Sequence, residues 1–310
     1  MEDVYVGVDV SKDRLDVHVL PHGEAFAVSR DGKGLDELIT RVRDLKPALV
    51  AIEATGGYET IVAAAVAGAK LPVAVLNPAQ IRYYARALGK RAKTDRIDAE
   101  VIARFAQSVR PEPRVLPDNA TQMLADLVAR RRQIVEMIVA EGQRERHMAM
   151  PRLKKSILRH VEILNKELAA LDRDIDSAVR GSPVWREKED LLASVPGIGP
   201  KIARTLLADL PELGSLSRKE VASLVGLAPF TRQSGKWKGK SMIGGGRKTV
   251  RSALFVAAMV SSRCNTVLRA FYQRLIAAGK PKMVALVAVA RKMLTILNAI
   301  LRDKKPWQPA

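Results

Sequence analysis

Tyr5-Val6-Gly7-Val8-Asp9-Val10-Ser11-Lys12-Asp13-Arg14-Leu15-Asp16-Val17-His18-Val19 is the stretch that decides the fold of this 310-residue chain. Val4, Val6, Val8 and Val10 alternate with Tyr5, Gly7 and Asp9, the period-two signature of a strand. Ser11–Arg14 reads as a turn, and Leu15, Val17 and Val19 begin a second alternating strand. Pro21-His22-Gly23 turns again into a short third strand near Glu24–Val28. Working outward, a helical pattern runs from Gly34 to about Leu45, and Ala48–Glu53 reads as a buried, largely apolar strand. Gly56-Gly57 breaks it, a helix runs to about Ala67, and Pro72–Leu76 is one more strand. Asn77-Pro78 closes that strand as an N-cap and first-turn pair for the next helix. A three-strand meander followed by alternating helices and strands predicts an α/β layered domain of about 110 residues.

Arg110-Pro-Glu-Pro-Arg114 ends this region, because prolines two apart cannot continue a helix. From about Ala120 to Val179 apolar residues recur at helical spacing: Leu124, Leu127, Val128, Ile134, Val135 and Ile138, then Ile157, Val161, Leu164, Leu168, Leu171 and Ile175. Pro151 divides the two runs, so two long helices forming an antiparallel hairpin or a dimerising coiled coil are expected. Gly181-Ser-Pro183 marks the next boundary, and the remainder is helical with a Gly-rich, basic interruption at Ser234–Arg247. The predicted class is α/β plus all-α, divided as 1–114, a helical 115–182 and a C-terminal helical 183–310.

Charge narrows the function. Lys and Arg number 52 against 33 Asp and Glu, a formal net charge of +19. Between Val221 and Arg302 there are fifteen Lys and Arg and no acid. Charge of one sign repels itself, and stability gives no reason to accumulate it; a phosphate backbone does, because each neutralised phosphate releases counterions. Nucleic acid is therefore the expected partner, with a membrane the weaker rival because the basic positions follow no single amphipathic stripe. Apolar runs such as Met283–Ala290 fall short of the roughly 20 residues of a bilayer span, and Met283–Leu301 reads as core packing. The acidic start, Met1-Glu2-Asp3, is unlike a signal peptide, so a cytoplasmic protein is expected. Cys264, the single cysteine, excludes an internal disulfide or a cysteine-based zinc site and reads as a buried small hydrophobe.

Four carboxylates stand out. Asp9 lies opposite the valines of strand one, where a buried carboxylate costs several kcal/mol unless paired or bound to a cation. Glu53 ends the second apolar strand. Asp95 and Asp98, three apart, share one face at the start of a helix. Each has a plainer reading: Lys12 could partner Asp9, an arginine could partner Glu53, and acids are favoured in any first helical turn. As a set they form an oxygen-rich group suited to Mg²⁺ or Mn²⁺, and two such ions can orient the attacking and leaving oxygens of a displacement at phosphorus.

Farther on, Ser194-Val-Pro-Gly-Ile-Gly-Pro200-Lys201 looks like a helix-hairpin-helix, with Gly197 and Gly199 permitting a tight turn whose amides reach a phosphate and Lys201 beside it; a plain helix–helix turn is the alternative. Such an element positions a backbone without reading sequence. Thr231–Arg251 carries seven basic residues and no acid. They are Arg232, Lys236, Lys238, Lys240, Arg247, Lys248 and Arg251, all candidate nucleic-acid contacts. Trp237 among them could stack on a base or anchor the surface. Ser234, followed by Gly235, could attack phosphorus with the neighbouring cations stabilising charge, although serine needs a base or a metal to activate it. No histidine lies beyond position 160, and Ser241 is a local competitor.

Gly7-Val8-Asp9-Val10-Ser11-Lys12, Ile52-Glu53-Ala54-Thr55-Gly56 and Lys93-Thr94-Asp95-Arg96-Ile97-Asp98-Ala99 together resemble the N-terminal pattern of the IS110/IS1111 transposases, recombinases of bacterial insertion sequences. The likeness continues through Gly226-Leu227-Ala228-Pro229, Ser234-Gly235, Gly244–Lys248 and Val250–Leu254, so it spans nearly the whole chain; Gly244–Gly246 is richer in glycine than the family pattern. The resemblance implies a RuvC-like, ribonuclease-H-type mixed sheet for 1–114, a coiled-coil region for 115–182 and a transposase domain for 183–310. It implies that Asp9, Glu53, Asp95 and Asp98 form a Mg²⁺-binding tetrad, Mn²⁺ being a possible substitute, and that Ser234 is the nucleophile of a phosphoserine intermediate. It also implies donor and target DNA as substrates, an element-encoded guide or bridge RNA, and homodimers assembling into homotetramers. The alternative is a metal-dependent, structure-specific nuclease that hydrolyses DNA with water and in which Ser234 is structural. A further reading is a nucleic-acid-binding protein without catalysis.

Overall fold

The structure, a computed structural model, describes residues 2–89, 95–113, 119–231, 233–234, 237–239 and 241–309; within them the side chains of Asp95, Arg96, Asn119, Trp237 and Lys238 are not described. The chain forms two compact units, Met1–Leu116 and Pro117–Ala310.

The first unit is built on the meander predicted from the valines. Strands β1 (Tyr5–Val10), β2 (Arg14–Leu20) and β3 (Glu24–Ser29) are consecutive and antiparallel. Helix α1 (Gly32–Asp44) then leads to β4 (Leu49–Glu53), α2 (Glu59–Gly68), β5 (Val73–Leu76), α3 (Pro78–Ala87) and α4 (Asp95–Val109). β4 pairs parallel with β1, and β5 parallel with β4, giving a mixed five-stranded sheet in the order β3-β2-β1-β4-β5. Local chemistry sets the helix starts. Asp31 caps α1 by accepting from the Gly34 amide at 2.9 Å, a contact that holds its carboxyl below the usual range. Asn77 accepts from the Ala79 amide at 2.8 Å and Pro78 occupies the first turn of α3, as that residue pair predicts.

Alternation divides the sheet into two buried faces. Val6, Val8, Val10, Val17, Val19, Val50 and Ile52 form one core with Leu38 and Val42 of α1 and Val62 and Val66 of α2. Tyr5, Leu20, Leu49, Ala51, Ala74 and Leu76 form the other with Ile81 of α3 and Ile102, Phe105 and Ala106 of α4.

In the second unit, α5 (Asn119–His147) and α6 (Pro151–Gly181) form a hairpin. From Arg131–Asp172 to Glu145–Lys154 the ion pairs advance along α5 and retreat along α6, so the hairpin is antiparallel and lies within one chain. Pro151 enters the first turn of α6, where its missing N–H is not needed. Next come α7 (Pro183–Ala193), α8 (Pro200–Asp209), α9 (Arg218–Val225), the two-residue strands β6 (Gln233–Ser234) and β7 (Trp237–Lys238), α10 (Lys248–Cys264), α11 (Thr266–Ala277) and α12 (Lys282–Asp303). The base of the hairpin is continuous with this region. Leu124 and Val128 of α5 and Ile175 and Val179 of α6 share one core with Leu192, Leu206, Val221, Leu254, Met293 and Leu297.

Helix α12 is long and apolar enough to cross a membrane by length and composition, yet Ala285, Val289, Met293, Leu297 and Ile300 turn into this core. Cys264 corrects an expectation: it is exposed. The buried stripe of α10 runs through Val250, Leu254, Ala257, Ala258 and Ser261. The next inward place goes to Asn265, which caps α11 by accepting from the Leu268 amide at 3.1 Å.

Candidate active site and nucleic-acid surface

Register puts Asp9 and Glu53 side by side. Val8 is opposite Ile52 in the parallel β1–β4 pair, so the next residue on each strand brings Asp9, one before the end of β1, and Glu53, the end of β4, to the same level. Both belong to the face that carries Tyr5, Leu49 and Ala51, and both are partly exposed at the sheet's edge. Helix α4 covers this face. A Cβ on Gly7 would lie 2.3 Å from the Ala99 carbonyl oxygen and 2.4 Å from the Ala103 nitrogen, so α4 rests directly on the β1 backbone. Past the C-terminal end of α4, Arg110 lies 4.0 Å from Asp3, which precedes β1. The helix therefore runs antiparallel to β1, and its N-terminus, with Asp95 and Asp98, lies toward the Asp9 end. Asp98 is partly exposed; the Asp95 side chain falls outside the described residues. Among the described residues no group of three or more His, Cys, Asp and Glu side chains is close enough to hold a metal ion.

The loop after Glu53 is fixed by a carboxylate of its own. Glu59, in the first turn of α2, accepts from the amides of Thr55 and Gly57, each at 2.9 Å. One acid near the edge went unrecognised in the sequence. Asp16 is directly opposite Asp9 in the antiparallel β1–β2 pair and only 6% exposed. Arg14 holds it with a fork, Nε to Oδ2 at 3.0 Å and Nη2 to Oδ1 at 2.9 Å. Residues two apart on a strand share a face, so the Arg14-x-Asp16 spacing is a readable sign of this pair; burial of Asp16 is not.

In the second unit Ser234 lies in a small hairpin. Ser234 pairs with Trp237 and Gln233 with Lys238, and below them Phe230 and Met242 exchange backbone hydrogen bonds of 2.7 and 3.0 Å. Ser234 is exposed, and its hydroxyl has no hydrogen-bond partner among the described residues. Its competitor Ser241 is engaged, Oγ lying 3.1 Å from Thr231 Oγ1. Arg232, Lys236 and Lys240 fall outside the described residues, as do the side chains of Trp237 and Lys238.

The hairpin's two ends are clasped together. A Cβ on Gly226 would lie 2.2 Å from the Gly245 carbonyl oxygen, and one on Gly246 2.4 Å from the Gly226 nitrogen. Gly226 and Gly246 thus let two backbone segments touch, whereas a Cβ on Gly244 or Gly245 would meet nothing within 4 Å. Arg251 reinforces the clasp by donating to the carbonyls of Val225, at 3.0 Å, and Gly245. Arg247 donates to Glu212 at 2.6 Å and to the Asp209 carbonyl at 3.1 Å. The guanidinium groups of these two cations are thus held by protein acceptors, whereas Lys248 is exposed.

The turn at 194–200 packs against α10. A Cβ on Gly197 would lie 1.9 Å from Ser261 Oγ, which itself donates to the Pro196 carbonyl at 2.9 Å. Gly199 begins α8 without a side-chain cap, and Lys201 follows with its side chain 72% exposed and 4.0 Å from Asp172. Both border a groove of about 960 Å³ between α5, α6, α8 and α10. Arg204 lines it as well. Burial opposes its charge, but Glu189 at 2.6 Å and Asp176 at 2.7 Å raise its pKa overall.

Two family models match the chain, a transposase model of the IS110 DEDD type over residues 6–149 and the transposase IS116/IS110/IS902 family over residues 189–273. The pilin gene-inverting protein of Moraxella bovis is 30% identical, with 99% of this chain and 98% of that one covered. Its counterpart in Moraxella lacunata matches to the same extent. The 43.6 kDa protein of insertion element IS110 from Streptomyces coelicolor is 27% identical over 64% of this chain and 47% of its own length.

Proposed function

Because the chain belongs to the IS110 family of transposases, and its substrate is accordingly DNA, we propose that it cuts and rejoins DNA through a serine ester. In this reading the first unit is a RuvC-like domain, with which its mixed five-stranded sheet is compatible. Asp9, Glu53, Asp95 and Asp98 would hold Mg²⁺, with Mn²⁺ as substitute; the donor set is wholly carboxylate, the chemistry hard divalent cations prefer. Bound there, the ion would neutralise charge on a scissile phosphate and favour displacement at phosphorus. The observation that carries the reading is the shared register of Asp9 and Glu53, with the acidic start of α4 brought to the same edge by the bare backbone of Gly7.

Ser234 is the proposed nucleophile. Its Oγ forms a bond to phosphorus as the bond from phosphorus to a sugar oxygen breaks; the Oγ proton leaves to solvent or a carboxylate, and the sugar departs as a hydroxyl. A hydroxyl on a second DNA end reverses the step, so the phosphoester is conserved without a nucleotide cofactor. The pilin gene-inverting relatives suit such a strand exchange, since an inversion has to rejoin every strand it cuts. An element-encoded bridge RNA selecting the DNA, and dimers assembling into tetramers, complete the proposal; the exposed basic surface supports RNA as well as DNA contact.

The test is a covalent adduct. Denaturing electrophoresis of wild-type reactions is expected to show labelled DNA attached to protein, and Ser234→Ala to abolish it. Asp9→Asn is expected to stop cleavage and leave most DNA binding intact. An adduct that survives Ser234→Ala rejects the serine, and free 5′-phosphate ends in its place indicate a hydrolytic nuclease.

A further inference from the structure

Tyr83 and Tyr84 are neighbours on α3 with opposite fates. Tyr84 fastens the helix to α4: its Oη lies 2.8 Å from Ser108 Oγ and donates to the Arg104 carbonyl at 3.3 Å, and its ring meets Phe105 edge-on at 5.4 Å. Tyr83, about 100° around the helix, is 68% exposed. One turn before it stand Ala79 and Gln80 and one turn after it Arg86 and Ala87, and the two alanines are too small to cover an aromatic ring. Arg82 and Arg86 are both exposed and neither is ion-paired among the described residues. Arg82 and Arg86, four residues apart, lie on the same side of Tyr83, and an open ring beside a pair of cations, with no carboxylate among the described residues to neutralise them, is complementary to a base and its neighbouring phosphates.

We propose that this face of α3 binds an unpaired DNA strand, Tyr83 stacking on a base and Arg82 and Arg86 meeting the neighbouring phosphates. The site deepens the reading that the first unit acts on DNA at its carboxylate edge. Helix α3 starts two residues after Leu76, the partner of Glu53 in the sheet, and five residues of rise set Tyr83 about 8 Å along it. A base inside a duplex has both faces stacked and offers nothing to the ring. The surface therefore selects strand that is open beside the cutting site.

The test uses the full chain in EDTA, so that binding is read without cleavage. Tyr83→Ala is expected to weaken binding of a short oligodeoxythymidine by roughly 5- to 150-fold, with Tyr83→Trp restoring it. Arg82→Gln with Arg86→Gln is expected to lower the slope of log affinity against log salt by about 1.4. Because the basic C-terminal region also binds DNA, the site is read directly: an oligonucleotide carrying 5-iododeoxyuridine is irradiated on the chain and the adduct mapped by mass spectrometry. An adduct on Tyr83 supports the proposal. Unchanged binding by Tyr83→Ala with adducts only elsewhere overturns it, and so does an effect confined to duplex DNA or to oligoribonucleotides. If Asp9→Asn leaves cleavage unimpaired while Tyr83→Ala weakens binding, the carboxylate reading falls and this one stands.

Discussion

At Gly7 the first β-strand and the helix that carries Asp98 meet with no side chain between them. Gly7→Ala would place a methyl group 2.3 Å from the Ala99 carbonyl oxygen and 2.4 Å from the Ala103 nitrogen, both backbone atoms that no rotamer change can move. Overpacking of this kind costs about 1–3 kcal/mol even where side chains can adjust. The variant is expected to show a lower thermal midpoint and to lose DNA cleavage, because relief of the clash lifts the start of α4 away from Asp9 and Glu53. Circular dichroism melts and a cleavage assay check the two together, and a variant with native stability and activity contradicts the packing. The sequence marks Asp9 because a carboxylate in a valine strand needs an explanation, and Glu53 because it ends an apolar run. It does not mark Asp16, whose polar position is ordinary in an alternating strand until register sets it opposite Asp9. Nor does it distinguish Arg247 and Arg251 from the other cations of their segment, because the acceptors that hold them, apart from Gly245, lie 26 to 38 residues away.

Among the elements, α12 adds one buried polar residue to its apolar packing in the C-terminal unit. Asn298 is 1% exposed, accepts from the Gly214 amide at 2.9 Å and donates to the Leu216 carbonyl at 2.7 Å. Asn298→Leu keeps the volume but takes their partner from the partly buried Gly214 amide and Leu216 carbonyl, a loss of about 0.5–1.5 kcal/mol each. The expected result is a lower urea midpoint with little change in denaturant slope, and a midpoint equal to that of the wild type counts against the clamp. Elements of this length are legible in sequence: the two runs of the α5–α6 hairpin repeat at helical spacing, and Pro151 announces where the second begins. The hairpin of Ser234 is not, because strands of two residues are too short to show a period, and its glycine clasp depends on segments some twenty residues apart.

For the whole molecule, the proposed chemistry divides between two groups of residues, carboxylates in Met1–Leu116 and a serine in Pro117–Ala310. The second region has an excess of basic residues and no histidine beyond position 160 to activate the serine. If the assembly is a dimer whose reaction centres each take carboxylates from one protomer and serine from its partner, two inactive variants complement each other. Asp9→Asn and Ser234→Ala chains, refolded together, would make mixed dimers in which one centre has both residues intact and the other has neither. Random pairing makes half of the dimers mixed, so about a quarter of wild-type adduct formation is expected if each centre works alone. The label then has to appear only on the Asp9→Asn chain, which retains the serine, and a size tag on that chain identifies it by electrophoresis. No adduct in the mixture, with each variant still binding DNA, assigns both groups to the same protomer. Adduct on the Ser234→Ala chain rules out Ser234 as the nucleophile whichever protomer supplies the carboxylates.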